Sequence, residues 1–264
     1  MLKTSDKFET FYKFNKINEK SPIVFIHGIG LNNEIWDRQV NFFKSYNTIV
    51  YDIIGHGKTP LKKSQMSMKD FSNQLLELIN ELNLKKIHLV GFSLGSLIAR
   101  DFASSYSDRL ETLTIFGTVY KRTEDEKRVV VSRYESMKLN KDVSKKRALA
   151  RWFNEDFIKK NPDIYNKIYS MLERNQHENW LKVYKIFVYH QDDDISIKQI
   201  KANTLIITGE NDIGSTPSMS KNISKIITGS EFKIIKKGKH LCNIECAENF
   251  NVTIKEFIDN NVQS

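Results

Sequence analysis

The chain has 264 residues, 40% of them hydrophobic and 28% charged, enough to bury a sizeable core as one large domain or two small ones. Its formal net charge of +9 comes from lysines scattered beside Asp, Glu and Asn, with no basic block interleaved with aromatics, which argues against a nucleic-acid partner. Two cysteines, Cys242 and Cys246, exclude a disulfide framework, no apolar run approaches the roughly 18 residues of a membrane span, and the first residues lack the apolar stretch of a signal peptide, so a cytoplasmic protein with reduced thiols is expected.

Phe8 to Phe14 is aromatic-rich and partly alternating, the pattern of an edge strand. Pro22 to Ile26 is a continuous apolar run, which predicts a strand covered on both faces. It ends in His27-Gly28-Ile29-Gly30, where two glycines allow close backbone approach. A helix is expected from Glu34 to Phe43, then a strand over Thr48 to Ile53 and a breaker-rich loop from Gly55 to Pro60. Ser67 reads as the N-cap of a helix striped by Phe71, Leu75, Leu78, Ile79 and Leu82. Ile87 to Val90 is a short buried strand, and Ser96 to Phe102 a helix. Between them lies Gly91-Phe92-Ser93-Leu94-Gly95. A G-x-S-x-G between strand and helix is a nucleophile elbow, whose tight turn lifts the serine hydroxyl clear of the sheet. Leu110 to Gly117 is the next strand. This alternation argues a parallel sheet with helices on both faces and right-handed crossovers.

From Thr118 to about Ile200 the strand signals vanish. Helical stripes replace them at Val130/Tyr134/Met137, Ala148/Trp152, Tyr165/Tyr169/Leu172 and Trp180/Tyr184/Phe187. Residues 118–200 therefore read as a helical lid inserted into a core formed by 1–117 and 201–264. Most of its aromatics are expected to pack helix on helix, with a minority facing the site. The sheet pattern resumes with a strand over Asn203 to Gly209, the loop Glu210-Asn211-Asp212 and a helix from Pro217 to Ile227. A last strand, Glu231 to Ile235, leads through Gly238-Lys239-His240 into a closing helix from Ile244 to Ile258.

A serine nucleophile needs a base, and the base needs an orienting acid. In an open α/β sheet these groups belong on loops at the carboxyl ends of strands. Of the six histidines, His88 lies inside a strand, His177 and His190 in the lid, and His27 and His56 in early loops; only His240 follows the last strand. The acid of that order is Asp212, with Glu210 as the alternative. The order Ser93, Asp212, His240 is the one that accompanies this elbow. The oxyanion hole is expected from the backbone N–H groups of Leu94 and Ile29, and Gly28 of the same loop is a candidate substrate-binding residue together with Trp152, Arg133 and Arg151.

Over essentially its whole length the chain resembles the α/β-hydrolase superfamily. The likeness rests on the HGxG-type loop at His27, the stretch Asp52-Ile53-Ile54-Gly55-His56-Gly57-Lys58-Thr59, the elbow and His240. Its details are most similar to 3-oxoadipate enol-lactonases: Arg151-Trp152-Phe153-Asn154-Glu155-Asp156-Phe157, Gly209-Glu210-Asn211-Asp212 with Pro217, and His240-Leu241-Cys242-Asn243-Ile244-Glu245 with Phe250. The elbow's Leu94-Gly95-Ser96 and the His27-Gly28 loop depart from that family's usual residues. The His-Gly form is shared with general esterases, acyl-carrier methyl-ester esterases and carbon–carbon bond hydrolases. The resemblance implies a mostly parallel sheet of seven or eight strands, a serine mechanism without metal or organic cofactor, and a small ester or lactone as partner. An enol-lactone carries a carboxylate, which needs a cation where lid meets core; Arg151 beside Trp152, and Arg133, are the candidates. The alternatives are a broad carboxylesterase, a carbon–carbon bond hydrolase, or a catalytically silent ligand-binding module. Oligomeric state is not legible.

Overall fold

Eight strands form one sheet in the computed structural model, which describes residues 2–139 and 141–261. They are β1 Leu2–Lys3, β2 Phe11–Asn15, β3 Ile23–Ile26, β4 Thr48–Tyr51, β5 Ile87–Phe92, β6 Leu110–Phe116, β7 Asn203–Gly209 and β8 Glu231–Ile235. The order across the sheet is β1-β2-β4-β3-β5-β6-β7-β8. β1 and β2 run antiparallel, and all pairs from β4 to β8 are parallel. The helices are α1 Asp37–Phe42, α2 Met68–Glu81, α3 Leu94–Tyr106, α4 Glu124–Leu139, α5 Lys141–Trp152, α6 Glu155–Lys160, α7 Pro162–Arg174, α8 His177–Val188, α9 Asp194–Lys198, α10 Pro217–Ser224, α11 Cys242–Glu245 and α12 Ala247–Asn261.

The continuous apolar runs are explained by two cores, one on each face of the sheet. Along β3, Val24 and Ile26 pack in one cluster with Phe71 and Leu75 of α2 and Phe102 of α3. Ile23 and Phe25 point the other way, into a cluster with Trp36, Phe43 and, from α12, Phe250 and Phe257. Each fully buried Phe or Ile contributes about 1.5–3 kcal/mol, so a polar residue at any of these positions is costly on either face. Two elements differ from the sequence expectation. β2 begins only at Phe11, because Glu9 takes φ 49° in a turn closed by Asp6, whose carboxylate accepts the Phe8 N–H at 2.6 Å. The closing helix is two helices, α11 and α12, because Cys246 leaves the helical region at φ −119° and ψ 42°. The short strand β1 and helix α9 carry too few residues to leave a periodic signal.

β4 lies on one side of β3 and β5 on the other, so the chain reverses direction across the sheet at this point. Crevices at such reversals, beyond the carboxyl ends of the strands, are where open α/β sheets place ligands. The loop 27–30 and Ser93 both lie there. Ser93 has φ 53° and ψ −113°, a backbone conformation that costs on the order of 1–3 kcal/mol for a residue with a Cβ. Its N–H donates to the Phe116 carbonyl at 2.9 Å, fastening the turn to β6. The flanking glycines are required by contact: a Cβ on Gly91 would stand 2.3 Å from the Gly95 carbonyl oxygen, and one on Gly95 2.4 Å from that of Ile26.

The loop after β3 is held by two imidazoles. His27 Nε2 accepts the Ile53 N–H at 3.0 Å and His56 Nε2 accepts the Gly30 N–H at 2.9 Å. With Nε2 accepting, the proton sits on Nδ1, which donates to Gly28 O from His27 and to Ile54 O from His56. Burial pushes His27 down to about 4 and His56 to about 3, so both rings are neutral. Asp52 completes the support, accepting the Asn33 N–H at 2.8 Å, Asn33 Nδ2 at 2.7 Å and the Lys58 N–H at 2.8 Å.

Helices α4 to α9 all fall between β6 and β7, with no strand among them. Both ends of this segment are fastened to α3 through Arg100. Its guanidinium donates to the Val119 carbonyl at 2.9 Å and to Asp192 Oδ1 at 2.6 Å, while Asp192 Oδ2 accepts the Lys121 N–H at 2.7 Å. Among the described residues no helix is long and apolar enough to cross a membrane.

Two consequences are measurable. Gly95→Ala should lower stability by about 1–3 kcal/mol through overpacking of α3 on β3; an unchanged urea midpoint would refute that contact. Three of the buried histidines, His27, His56 and His88, have folded pKa values lowered by burial from 6.5 to about 4, about 3 and about 4. Below pH 6.5 the unfolded chain takes up protons that the folded chain refuses, so stability should fall as pH drops from about 6.5 toward about 4. Urea unfolding across that range checks it, and His56→Gln should flatten the slope.

Candidate active site

β7 and β8 are paired to their ends, Gly209 opposite Ile235, so the loops that follow them are neighbours. They are tied by the Glu210 N–H on the Ile235 carbonyl at 2.9 Å and the Asn211 N–H on the Gly238 carbonyl at 2.8 Å. This brings together two residues 28 apart in sequence: His240 Nδ1 donates to Asp212 Oδ2 at 2.6 Å. The other carboxylate oxygen of Asp212 accepts the N–H groups of Gly214 and Ser215 at 2.8 and 2.9 Å, which fixes the carboxylate plane. In the neutral tautomer that donates from Nδ1, the other ring nitrogen, Nε2, is an acceptor. The imidazole packs against Phe92, 4.8 Å between ring centres, and Trp152, 6.1 Å. Glu210, the alternative acid, is turned out to solvent and accepts from Lys236 Nζ and the Lys237 N–H, each at 2.9 Å. Ser93, Asp212 and His240 line one cavity of about 470 Å³.

The candidate oxyanion donors flank Ser93. Leu94 opens α3, so its N–H is one of the first four that no helical carbonyl can accept. Ile29 lines the cavity from the loop after β3. Gly28 lies behind it, close under the elbow: a Cβ there would stand 3.0 Å from the Phe92 ring and 3.1 Å from the Ser93 Cβ. The same loop is tied from above, where Asn175 Nδ2 donates to the Gly30 carbonyl at 2.7 Å.

The helical side of the cavity carries Trp152, Arg133 and Arg151, the three residues that the sequence singled out there, and also Arg122, Trp180 and Tyr184. Burial holds the Arg151 pKa below its ordinary value, and the neighbouring charge of Arg133 adds to the effect. Burial raises Tyr184, against the opposing charges of Arg151, Arg133 and Arg122. Sequence reading put Trp180 and Tyr184 in a helical stripe but could not tell cavity from core. It gave no role to Arg122, or to His27 and His56, whose partners are backbone groups.

Residues 21–130 match the alpha/beta hydrolase fold family. The chain is 28% identical over 245 residues, 91% of each chain, to (E)-2-((N-methylformamido)methylene)succinate hydrolase of Acinetobacter baylyi. It is 26% identical, over 91% of this chain and 90% of the relative, to 3-oxoadipate enol-lactonase 1 of the same organism. The enol-lactonase from Burkholderia xenovorans superposes with a TM-score of 0.88 at 22% identity, over 96% of this chain and 97% of that one. Residues 21–130 thus carry the match to the alpha/beta hydrolase fold, and the chain is similar over most of its length to hydrolases of that fold, enol-lactonases among them.

Proposed function

We infer that the protein is a serine hydrolase that cleaves a carboxylic ester or lactone through an acyl-enzyme. The observation that carries this reading is the 2.6 Å bond from His240 to Asp212 beside a serine held at φ 53°, all three lining one cavity. His240 Nε2 takes the proton of Ser93 Oγ as Oγ attacks the carbonyl carbon. The imidazolium that forms is stabilised by Asp212. The negative oxygen of the tetrahedral intermediate is received by the N–H groups of Leu94 and Ile29. Collapse expels the alkoxide or enolate, which regains its proton from His240. Water, deprotonated by the same imidazole, then hydrolyses the acyl-enzyme. In this reading residues 118–200 are a lid over the site, and Arg100 with Asp192 closes its neck.

The substrate reading is a small enol-lactone bearing a carboxylate. It is supported by the likeness to 3-oxoadipate enol-lactonase 1 and by Arg133 and Arg151 in the helical roof, with Trp152 against His240. Guanidinium groups suit carboxylates because their planar forks donate two parallel hydrogen bonds. Ser93→Ala should lower kcat on p-nitrophenyl acetate by about 10⁶-fold, and Asp212→Asn by about 10⁴-fold with the fold intact; retained turnover in Ser93→Ala would sink the assignment. The substrate is tested by kcat/KM on a 3-oxoadipate-type enol-lactone, neutral lactones and p-nitrophenyl esters of rising chain length. The enol-lactone should lead, and neutral short esters faster by about tenfold, or about 1.4 kcal/mol in transition-state binding, would overturn the preference.

A further inference from the structure

The turn that carries Ile29 is gripped from both sides. Gly28 to Leu31 form a tight turn closed by the Leu31 N–H on the Gly28 carbonyl at 3.3 Å. Gly30 stands in it at φ 77°, the left-handed position that a type II turn gives to glycine. The peptide joining Ile29 to Gly30 is held from the core, where the Gly30 N–H donates to His56 Nε2 at 2.9 Å. The next peptide is held from the helical side, where Asn175 Nδ2 donates to the Gly30 carbonyl at 2.7 Å. Ile29 and Asn175 both line the cavity that holds Ser93.

Asn175 is placed for this by its own position in the chain. α7 ends at it, with φ −68° and ψ 133°, and the Gln176 that follows caps α8. The same amide nitrogen donates to the Met171 carbonyl at 2.9 Å, closing the end of α7. Both partners of that nitrogen are carbonyl oxygens, which only accept, so the amide must present its NH2 to them. One side chain therefore uses its two donors on the end of α7 and on the turn at Gly30. Leu172 of α7 and Trp180 of α8 close over the same glycine: a Cβ on Gly30 would stand 2.7 Å from Leu172 Cδ2 and 3.1 Å from Trp180 Nε1. A glycine in a turn rotates its flanking peptides at little cost, and a bond on each flank removes that freedom. Such fixing matters because an oxyanion donor acts only when it is aimed before charge develops.

We propose that Asn175 is a positioning residue for the oxyanion hole: by holding the Gly30 carbonyl while His56 holds the Gly30 N–H, it sets the direction of the Ile29 N–H, so that the hole is complete only when the junction of α7 and α8 is docked on the core. The proposal rests on the reading in which Ser93 is the nucleophile and the Ile29 N–H receives the oxyanion.

Kinetics of the intact protein on p-nitrophenyl acetate, with inhibition by an alkyl trifluoromethyl ketone, test it. Ser93 Oγ adds to the ketone carbonyl carbon, its proton passes to His240 Nε2, and the hemiketal oxyanion occupies the hole as the tetrahedral intermediate does. Asn175→Ala and Asn175→Asp should each lower kcat by about tenfold or more, less than the roughly 10²–10³ of a deleted donor, with KM within about twofold. Ketone binding should weaken by a similar factor. Asn175→Gln, which keeps the NH2, should stay within about threefold of the wild-type kcat. Lys167→Ala breaks another bond between α7 and the core, Lys167 Nζ to Asp37 Oδ2 at 2.5 Å. It should leave kcat within about twofold. Asn175→Asp keeps the shape of the side chain, so it carries the test if Asn175→Ala loosens the junction. Unchanged kcat in the folded Asn175 variants, a loss confined to KM, unchanged ketone affinity, no recovery in Asn175→Gln, or an equal loss in Lys167→Ala overturns the proposal. Ser93→Ala separates the two failures. If it keeps its turnover, the serine-hydrolase reading falls, whereas an inactive Ser93→Ala beside a fully active Asn175→Ala defeats the positioning role alone.

Discussion

The arrangement depends on one residue turning the chain from strand to helix. At Ser93 the backbone adopts φ 53°, and α3 starts at the next residue. Such a turn is possible only if the helix can come back against the sheet almost without side chains between them. The contacts of Gly91 with Gly95 and of Gly95 with Ile26 provide that. The strain is offset by surroundings that leave no alternative: α3 is buried along Leu97, Ile98 and Phe102, and β5 is buried at every residue. The backbone position of Ser93 is thus set by the fold, which is the rigid placement that the proposed role as a nucleophile requires.

The two sides of the cavity differ in their electrostatics. On the sheet side two uncharged imidazoles, His27 and His56, are held by backbone partners and, with the Asp52 carboxylate, support the loop that carries Ile29. The helical side mixes charges around an aromatic stack, with Arg122, Arg133 and Arg151 lining it beside Asp125, Glu126 and Glu173.

Much of the fold was legible because its signals are local. Apolar runs such as Ile23 to Ile26 report burial on both faces, and the elbow carries its own glycines. Asp212 and His240 could be singled out by strand-end position, but the hydrogen bond between them depends on β7 and β8 being neighbours, which no local pattern states. The roles of His27 and His56 were invisible for a related reason: each bonds a backbone N–H 26 residues away, and any residue could supply it. Arg122 sits outside any helix, so periodicity could not assign it a face. The break at Cys246 follows from long-range bonds of Glu245, which accepts from the Asn154 and Lys239 N–H groups at 2.8 and 3.0 Å.

The clasp at Arg100 does not act alone. Both ends of the segment between Lys121 and Asp192 close on one side chain of α3, and bonds from Asn175 to the Gly30 carbonyl, from the Asn154 N–H to Glu245 and from the Leu241 N–H to the Trp152 carbonyl tie its helices to the core elsewhere. A change in the length or number of these helices is therefore felt in the loops after β3 and β8 as well as at Arg100, so the segment and the sheet can vary only together.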